Sequence, residues 1–294
     1  MKQDLLKKKA RSFYWASFFL SSDTYEKCKT VYNFCRILDD ITDEDPDFYK
    51  KHSENSFGEN NTPTKILLTY KNFWRTSSDK VPEVEAMYKL FEHEKISRKL
   101  VEDLFDGFES DLKKKIKINS KKELLIYCYR VAGTVGLIMA KILRVKNKKL
   151  LRGAIDLGVA MQLTNIARDV IEDKKLGRQY IEHDFESIAG TIKLADIFYN
   201  NSFIAIKSIP CRYRFSIILA RRIYRQIGYK ILSERNIINY DKSGKIYISF
   251  LEKIFHTILS IHDLIKLIFL KKSDYKTTEE QQLIMNEINI NERI

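Results

Sequence analysis

Glycine and proline are scarce in this chain, with 10 glycines and 4 prolines among 294 residues. Folds with many tight turns, such as β-sandwiches and β-barrels, use these two residues at many of their turns. Their scarcity therefore argues against folds of that kind. Cysteine is scarce as well, and its 4 residues form no Cys-x-x-Cys pair, so neither a zinc site nor a disulfide framework is predicted. We expect a reducing, cytoplasmic compartment.

Long uncharged apolar runs are also missing. A membrane-spanning helix needs roughly 18 or more apolar residues in succession, and the segment nearest to this, 246–270, is interrupted by six charged or histidine residues. A spanning helix is therefore not expected. We expect this amphipathic segment to form ordinary bundle core, with docking at a bilayer surface as the alternative.

Acidic residues are outnumbered by basic ones, 39 against 52, which gives a net charge of +13. Such an excess favours an anionic partner: nucleic acid, acidic lipid or a phosphorylated substrate. No helix-turn-helix, zinc-finger or RNA-binding signature is present, so nucleic acid is not expected. A peripheral site at the inner face of the cell membrane stays open, and the oligomeric state is not predicted.

Helical periodicity dominates the pattern of apolar residues. Leu100, Leu104, Phe105, Phe108 and Leu112 recur with the spacing of one helix face. Apolar residues make up 44% of the chain, enough for a sizeable core, and charged residues make up 31%. The sequence predicts a single all-α helical domain over residues 1–270, followed by a polar C-terminal tail over 271–294 that frays.

The stretch 32–43 carries an acidic row inside an apolar segment. Asp39 and Asp43 are four residues apart, which places them one turn apart on the same helix face. Like charges at this spacing destabilise a helix, so a cation should compensate them. Arg36 precedes Asp39 by three residues and is one such cation.

A second acidic row follows in the stretch 162–173. Asn165, Asp169 and Asp173 fall at successive four-residue steps, again within an apolar helix, with Arg168 and Arg178 beside them. Oxygen ligands on rigid helices suit a hard divalent cation, and Mg²⁺ commonly shares its coordination with substrate phosphate. Two facing rows would bind a diphosphate through Mg²⁺, with Mn²⁺ as the alternative metal.

The residues in these stretches resemble the squalene and phytoene synthases, the head-to-head prenyl transferases. The resemblance rests on the stretches 32–44, 127–136 and 160–181, supported by 11–16 and 220–227, in the order found in that family. It implies an isoprenoid-synthase helical bundle with a central apolar cavity, in which Asp39 and Asp43 match the first aspartate-rich motif. Asn165, Asp169 and Asp173 match the second.

The resemblance also implies further site residues. Some match positions that contact diphosphate, others surround the reacting allylic centre, and others line the cavity. They are, in that order, Ser12, Arg36 and Arg178; Tyr127, Gln162, Tyr180 and Tyr224; and Phe13, Val131 and Gly136. Aromatic faces can stabilise a carbocation, which makes Tyr32, Tyr127 and Tyr224 candidates. The catalytic set is predicted to be Arg36, Asp39, Tyr127, Asp169 and Tyr224.

The activity implied is the condensation of two geranylgeranyl diphosphates to phytoene in carotenoid biosynthesis. It proceeds through a cyclopropylcarbinyl diphosphate and releases pyrophosphate. No Gly-rich dinucleotide fingerprint is visible, so no nicotinamide cofactor is expected. The alternatives are a squalene, dehydrosqualene or hydroxysqualene synthase that uses farnesyl diphosphate, and a non-catalytic helical lipid-binding or assembly subunit.

Overall fold

The structure is a computed structural model, and it describes residues 5–52, 62–113, 115–271 and 275–294. The predicted all-α bundle is confirmed. The α-helices in chain order are α1 Leu5–Lys9, α2 Arg11–Ser17, α3 Ser22–Thr42, α4 Pro46–His52, α5 Pro63–Thr76, α6 Pro82–Glu94, α7 Lys99–Asp111, α8 Lys121–Cys128, α9 Thr134–Ile142, α10 Lys148–Arg168, α11 Val170–Lys175, α12 Phe185–Ala205, α13 Cys211–Ser233, α14 Ile237–Ser243, α15 Phe250–Phe269 and α16 Glu279–Met285.

A few short elements complete the fold. The π-helical segment Tyr129–Gly133 joins α8 to α9. Single 3₁₀ turns lie at Ile206–Ser208 and Ile290–Glu292. Two parallel strands of two residues each, β1 (Ile116–Lys117) and β2 (Arg178–Gln179), pair Ile116 with Arg178. This pairing ties the loop after α11 to the loop after α7 and so fixes the position of Arg178.

Helix α3 positions the first acidic row. Its N-terminus is capped by Ser21, whose hydroxyl accepts the backbone N–H of Thr24. A continuous apolar face packs into the core against α5, α6, α7 and α9; it comprises Val31, Phe34, Leu38 and Ile41, with 0% exposure each. Burial of this face holds the other side of the helix, with Asp39 and Asp43, toward the interior cavity.

Helix α10 is the central helix and is apolar nearly all round, as a helix packed on every side must be. It packs mainly on α12 and α9. A Cβ atom at Gly136 would lie 2.1 Å from the carbonyl oxygen of Ala154, and one at Gly158 would lie 2.2 Å from that of Ala132. Glycine is therefore required at both positions, because the backbones of α9 and of the π-helical segment approach that of α10 too closely for any side chain.

The C-terminal segment differs from the predicted fraying tail. Its described part, 275–294, packs on the bundle, and Tyr275, Ile284, Ile288 and Ile290 are buried. Arg293 also donates to both carboxylate oxygens of Asp103 at 2.8 and 2.9 Å. Average polarity misled the prediction, because a few apolar side chains at helical spacing suffice to dock a short helix.

Two helices bear on the membrane predictions. Within the described ranges, the continuous helix Lys121–Ile142 is the one whose length and apolar composition suffice for a membrane span, and half of its most apolar window is buried in the bundle. Helix α15 was expected to be bundle core, but only His256, Ser260 and Leu267 of its 20 residues are buried. The core expectation for α15 was therefore wrong.

Candidate active site

One large cavity of about 1410 Å³ lies within the bundle. All the residues predicted for the site line it, although they come from seven helices, the π-helical segment, strand β2 and the residues that flank these elements. They are Ser12, Phe13, Tyr32, Arg36, Asp39, Asp43, Tyr127, Val131, Gly136, Gln162, Asn165, Asp169, Asp173, Arg178, Tyr180 and Tyr224. The sequence therefore predicted correctly which residues share this cavity, while their chemical roles stay predictions.

The first acidic row lies at the end of α3. Asp39 and Asp43 are one turn apart, since the backbone N–H of Asp43 donates to the carbonyl of Asp39 at 2.8 Å. The predicted compensating cations are present. Arg36 Nη1 lies 2.5 Å from Asp39 Oδ2, and Arg178 Nη1 lies 2.5 Å from Asp43 Oδ1. Arg178 comes from β2, so it joins the row to the far side of the cavity.

The second acidic row lies where α10 ends. The helix is irregular at Asp169, yet backbone bonds of 2.9 Å from Asp169 to Asn165 and from Asp173 to Asp169 keep the one-turn spacing. Arg168 donates to both oxygens of Asp169 at 2.8 and 2.6 Å, and Lys245 Nζ lies 3.1 Å from Asp169 Oδ1. Burial alone would raise the pKa of Asp169, but these cations outweigh it and the pKa is lowered.

The two rows face each other within electrostatic reach. Asp39 keeps 39% of its side-chain surface accessible because it faces the cavity, yet it lies deep, and burial raises its pKa to about 7 with a contribution from Asp43. Burial, together with the charges of Asp169 and Asp43, raises the pKa of Asp173 to about 8, while the charge of Arg178 opposes this rise. Asp43, which belongs to the first row, is paired with Arg178 and lines the same cavity as Asp173.

The donor set fits a hard divalent cation. Asn165 Oδ1 is buried without a hydrogen-bond partner, and the Asp173 side chain makes no ion pair with any described residue. Such buried groups are costly unless a ligand satisfies them. No three Asp, Glu, His or Cys side chains in the described ranges form a complete metal-binding group. Water and diphosphate oxygens would therefore have to complete the coordination, as is usual for Mg²⁺.

Aromatic and apolar groups form the inner walls. The Phe13 and Tyr224 rings pack with centroids 4.8 Å apart, which joins α2 to α13 across the cavity. Burial raises the pKa of Tyr224 and of Tyr32. Both phenols therefore stay neutral and present aromatic faces to the cavity, an environment that excludes water and suits a lipophilic chain.

A hydrogen-bonded cluster missed by the sequence analysis lies beside these walls. Tyr127 and Tyr180 stack with ring centroids 4.6 Å apart and hydroxyls 2.9 Å apart. Each hydroxyl donates to Asp111, from Tyr127 at 3.0 Å and from Tyr180 at 2.7 Å. Burial raises the pKa of Asp111 to about 6, against the lowering charge of Arg178. Asp111 therefore fixes two of the predicted residues in place.

Some of these missed groups left a signal in the sequence and some did not. Asp111 follows Leu104 and Phe108 on the apolar face of α7, where a charged residue is exceptional. A charged residue on an apolar helix face was therefore the feature of the sequence that could have pointed to Asp111. Lys9 and Lys245 also line the cavity, and Lys9 lies 2.8 Å from Asp45. Both reach the site through tertiary packing alone, so no local pattern marks them.

This chain resembles known proteins in sequence as well as in fold. The family described as squalene/phytoene synthase matches residues 6–185 of this chain. The chain belongs to the squalene/phytoene synthase family.

Bacterial phytoene synthases are among its relatives. The phytoene synthase of Pseudescherichia vulneris is 27% identical over 243 residues, which cover 76% of this chain and 78% of that protein. The 15-cis-phytoene synthase of a Paracoccus species is 35% identical over 167 residues, which cover 49% of this chain and 55% of that protein. The similarity therefore extends well beyond the acidic motifs.

Solved structures share the fold. A dehydrosqualene synthase in complex with a ligand superposes with a TM-score of 0.70 at 24% identity, covering 89% of this chain and 94% of that one. A squalene synthase from Alicyclobacillus acidocaldarius superposes with a TM-score of 0.63 at 18% identity, covering 78% and 91%. At these identities the likeness concerns the fold alone.

Proposed function

We propose that this protein is a phytoene synthase, a prenyl transferase that joins two geranylgeranyl diphosphates head to head and releases pyrophosphate. The observation that carries the proposal is the convergence of both acidic rows on one large apolar cavity. The names of the bacterial relatives support geranylgeranyl diphosphate rather than farnesyl diphosphate as the substrate.

The polar end of the cavity suits the departure of a diphosphate. Asp39, Asp43, Asn165, Asp169 and Asp173 would hold Mg²⁺, which supplies Lewis acidity toward the leaving group when bound. The residues beside them also include fixed cations, which would stabilise the charge that develops on the diphosphate without reorganising. These cations are Lys9, Arg36, Arg168, Arg178 and Lys245.

The apolar part of the cavity suits the carbocations that follow. Ionisation of one substrate releases pyrophosphate and leaves an allylic cation. Attack by the double bond of the second substrate and loss of a proton then give the cyclopropylcarbinyl diphosphate. A second ionisation and loss of a proton give the conjugated triene. Water would react with either cation, so the packed walls of the cavity are needed to exclude water from it. The faces of Tyr32, Tyr127 and Tyr224 would stabilise the positive charge.

Product analysis tests the proposal. Purified protein is incubated with farnesyl and geranylgeranyl diphosphates together, with Mg²⁺ and without NADPH, and the extract is examined by mass spectrometry. Phytoene and pyrophosphate are the expected products, and the Asp39→Asn variant should form neither.

The other outcomes distinguish the alternatives. Turnover of farnesyl diphosphate alone would contradict the substrate assignment and favour a dehydrosqualene-type or squalene-type enzyme. No turnover of either substrate by correctly folded protein would favour the non-catalytic lipid-binding or assembly subunit.

A further inference from the structure

Helix α15 exposes an extensive apolar face, here called the α15 face. Its large apolar side chains are exposed to solvent, with Leu251 at 75% and Phe269 at 80%. Because a helix turns about 100° per residue, these positions fall within an arc of roughly 140°. Monomeric proteins rarely leave so much contiguous apolar surface exposed unless it binds a partner. The face comprises Phe250, Leu251, Ile254, Phe255, Ile258, Ile261, Ile265, Ile268 and Phe269.

The acidic residues of α15 lie away from this face. Glu252 pairs with Lys230 at 3.0 Å, and Asp263 pairs with Arg222, both on α13. The exposed polar residues of the helix are His262 and Lys266. The α15 face is therefore apolar and free of negative charge.

The charge of the chain decides between two apolar partners. A second copy would bring together two chains of +13 each. A bilayer with anionic headgroups offers both an apolar interior and charge of the opposite sign. An anionic lipid surface is thus the partner that matches both the apolar α15 face and the positive charge of the chain.

The α15 face is continuous with the cavity. Tyr247 and Phe250 both line the cavity and are more than 60% exposed, so the cavity reaches the surface beside the start of α15. The ring of Trp15 on α2 packs edge-on against that of Phe250, with centroids 5.6 Å apart. Trp15 Nε1 also donates to the hydroxyl of Thr257 at 3.0 Å. The exposed ring of Phe18 extends the apolar surface on this side.

We propose that the α15 face docks the protein on the surface of a bilayer containing anionic lipid, with the cavity opening toward the acyl chains. The benefit of this orientation rests on the proposed function, because prenyl substrates and product are lipophilic and would pass between bilayer and cavity without crossing water. The docking itself depends only on the surface described above.

Vesicle binding tests the proposal without any substrate. Wild-type protein should co-sediment with vesicles of phosphatidylglycerol and phosphatidylcholine in equal parts, and far less with phosphatidylcholine alone. Ile258→Asp with Ile265→Asp should weaken binding by roughly tenfold or more, because each position loses buried apolar area. Leu68→Asp with Ile238→Asp is the matched control, since both residues are exposed on other helices, and it should bind as the wild type does.

Fluorescence gives a second readout of docking that requires no substitution in the α15 face. The chain has 2 tryptophans, of which Trp74 is fully buried while Trp15 lies beside the face. Vesicles with brominated acyl chains should quench the emission of the wild type, and Trp15→Phe should lose most of that quenching. Circular dichroism checks the folding of each variant.

The outcomes separate docking from catalysis. Equal binding by the wild type and the α15 variant, or no quenching with anionic vesicles, would overturn the proposal. A stable dimer in sedimentation that the α15 variant dissociates would overturn it in favour of a second copy. Vesicle binding without prenyl transfer would instead leave docking intact and contradict only the proposed function.

Discussion

Two acidic sites, one on α10 and one on the following helix α11, contrast sharply. Near the middle of α10, Asp156 is fully buried and accepts hydrogen bonds from Asn201 at 2.7 Å, Tyr275 at 2.9 Å and Gln281 at 2.8 Å. On α11, the carboxylate of Asp173 lies at the cavity without a side-chain partner among the described residues. One carboxyl is completely satisfied by the protein, and the other is not.

The contrast separates a structural role from a binding role. Because both Tyr275 and Gln281 belong to the C-terminal segment, the Asp156 cluster attaches that segment to the bundle. Asp173 has no side-chain partner among the described residues, and Asn165 Oδ1 is buried without a hydrogen-bond partner. Neither oxygen group therefore makes a contact that would stabilise the fold. An unsatisfied buried oxygen costs free energy, so its presence at a cavity indicates a site prepared for a cationic ligand.

The largest expected effect concerns catalysis and compares Asp173 on α11 with Asp156 on α10. Asp173→Asn should lower prenyl transfer by roughly a hundredfold or more, because it removes an anionic ligand for the Mg²⁺ that would stabilise the departing diphosphate. Asp156→Asn should change the rate constant little. Steady-state kinetics with circular dichroism as the folding check measures both. Equal losses of activity in the two variants would contradict the distinction between a structural role for Asp156 and a binding role for Asp173.

A smaller loss is expected at the aromatic wall. Asp111→Asn removes the carboxylate that both tyrosine hydroxyls reach, so it should disorder Tyr127 and Tyr180 and lower kcat by roughly tenfold. Tyr180→Phe, which keeps the ring stacked on Tyr127, should cost less than Asp111→Asn. If Asp111→Asn altered only KM, the cluster would position substrate rather than the reacting centre.

The smallest effect is a change of stability with pH at the structural site. Burial raises the pKa of Asp156 to about 7, although its three hydrogen bonds oppose this. The folded state therefore holds a proton that the unfolded chain releases near pH 4, so the contribution to stability is complete below about pH 4 and is lost as pH rises to about 7. The free energy of unfolding should fall by at most about 1.4 kcal/mol per pH unit over this range.

The control is Asp156→Asn, which has no titrating carboxyl. Its denaturant midpoints should vary less with pH than those of the wild type, and the difference isolates this group from other buried carboxyls. Gln281 Oε1 is buried without a partner, so it can turn to accept the new amide. Identical pH profiles for the two proteins would contradict the account of this cluster.

The sequence predicted the fold class and the two acidic rows because both depend on local spacing. The steps from Asp39 to Asp43 and from Asn165 to Asp173 are properties of any helix. Arg178, 135 residues away from Asp43, was predicted for the site only through the family resemblance. Its strand pairing and ion pair could not be read from any local pattern.

The remaining features depend on which surfaces meet. The tail was predicted to fray because its composition is polar. In the structure, however, Tyr275 and Gln281 of this segment both donate to the buried carboxyl of Asp156. The outer face of α15 was assigned to the core because amphipathic periodicity cannot distinguish a protein interior from a bilayer surface. Only the packed structure reveals that this face is largely exposed to solvent.

Calorimetric titration with a non-hydrolysable thio-diphosphate analogue of geranylgeranyl diphosphate examines the cavity carboxylates without requiring turnover. We predict that Mg²⁺ strengthens binding to the wild type by roughly tenfold or more, and that this gain disappears in Asp39→Asn and in Asp173→Asn but persists in Asp156→Asn. Equal affinity with Mg²⁺ and with a chelator would contradict a diphosphate held between the two acidic rows through a divalent cation.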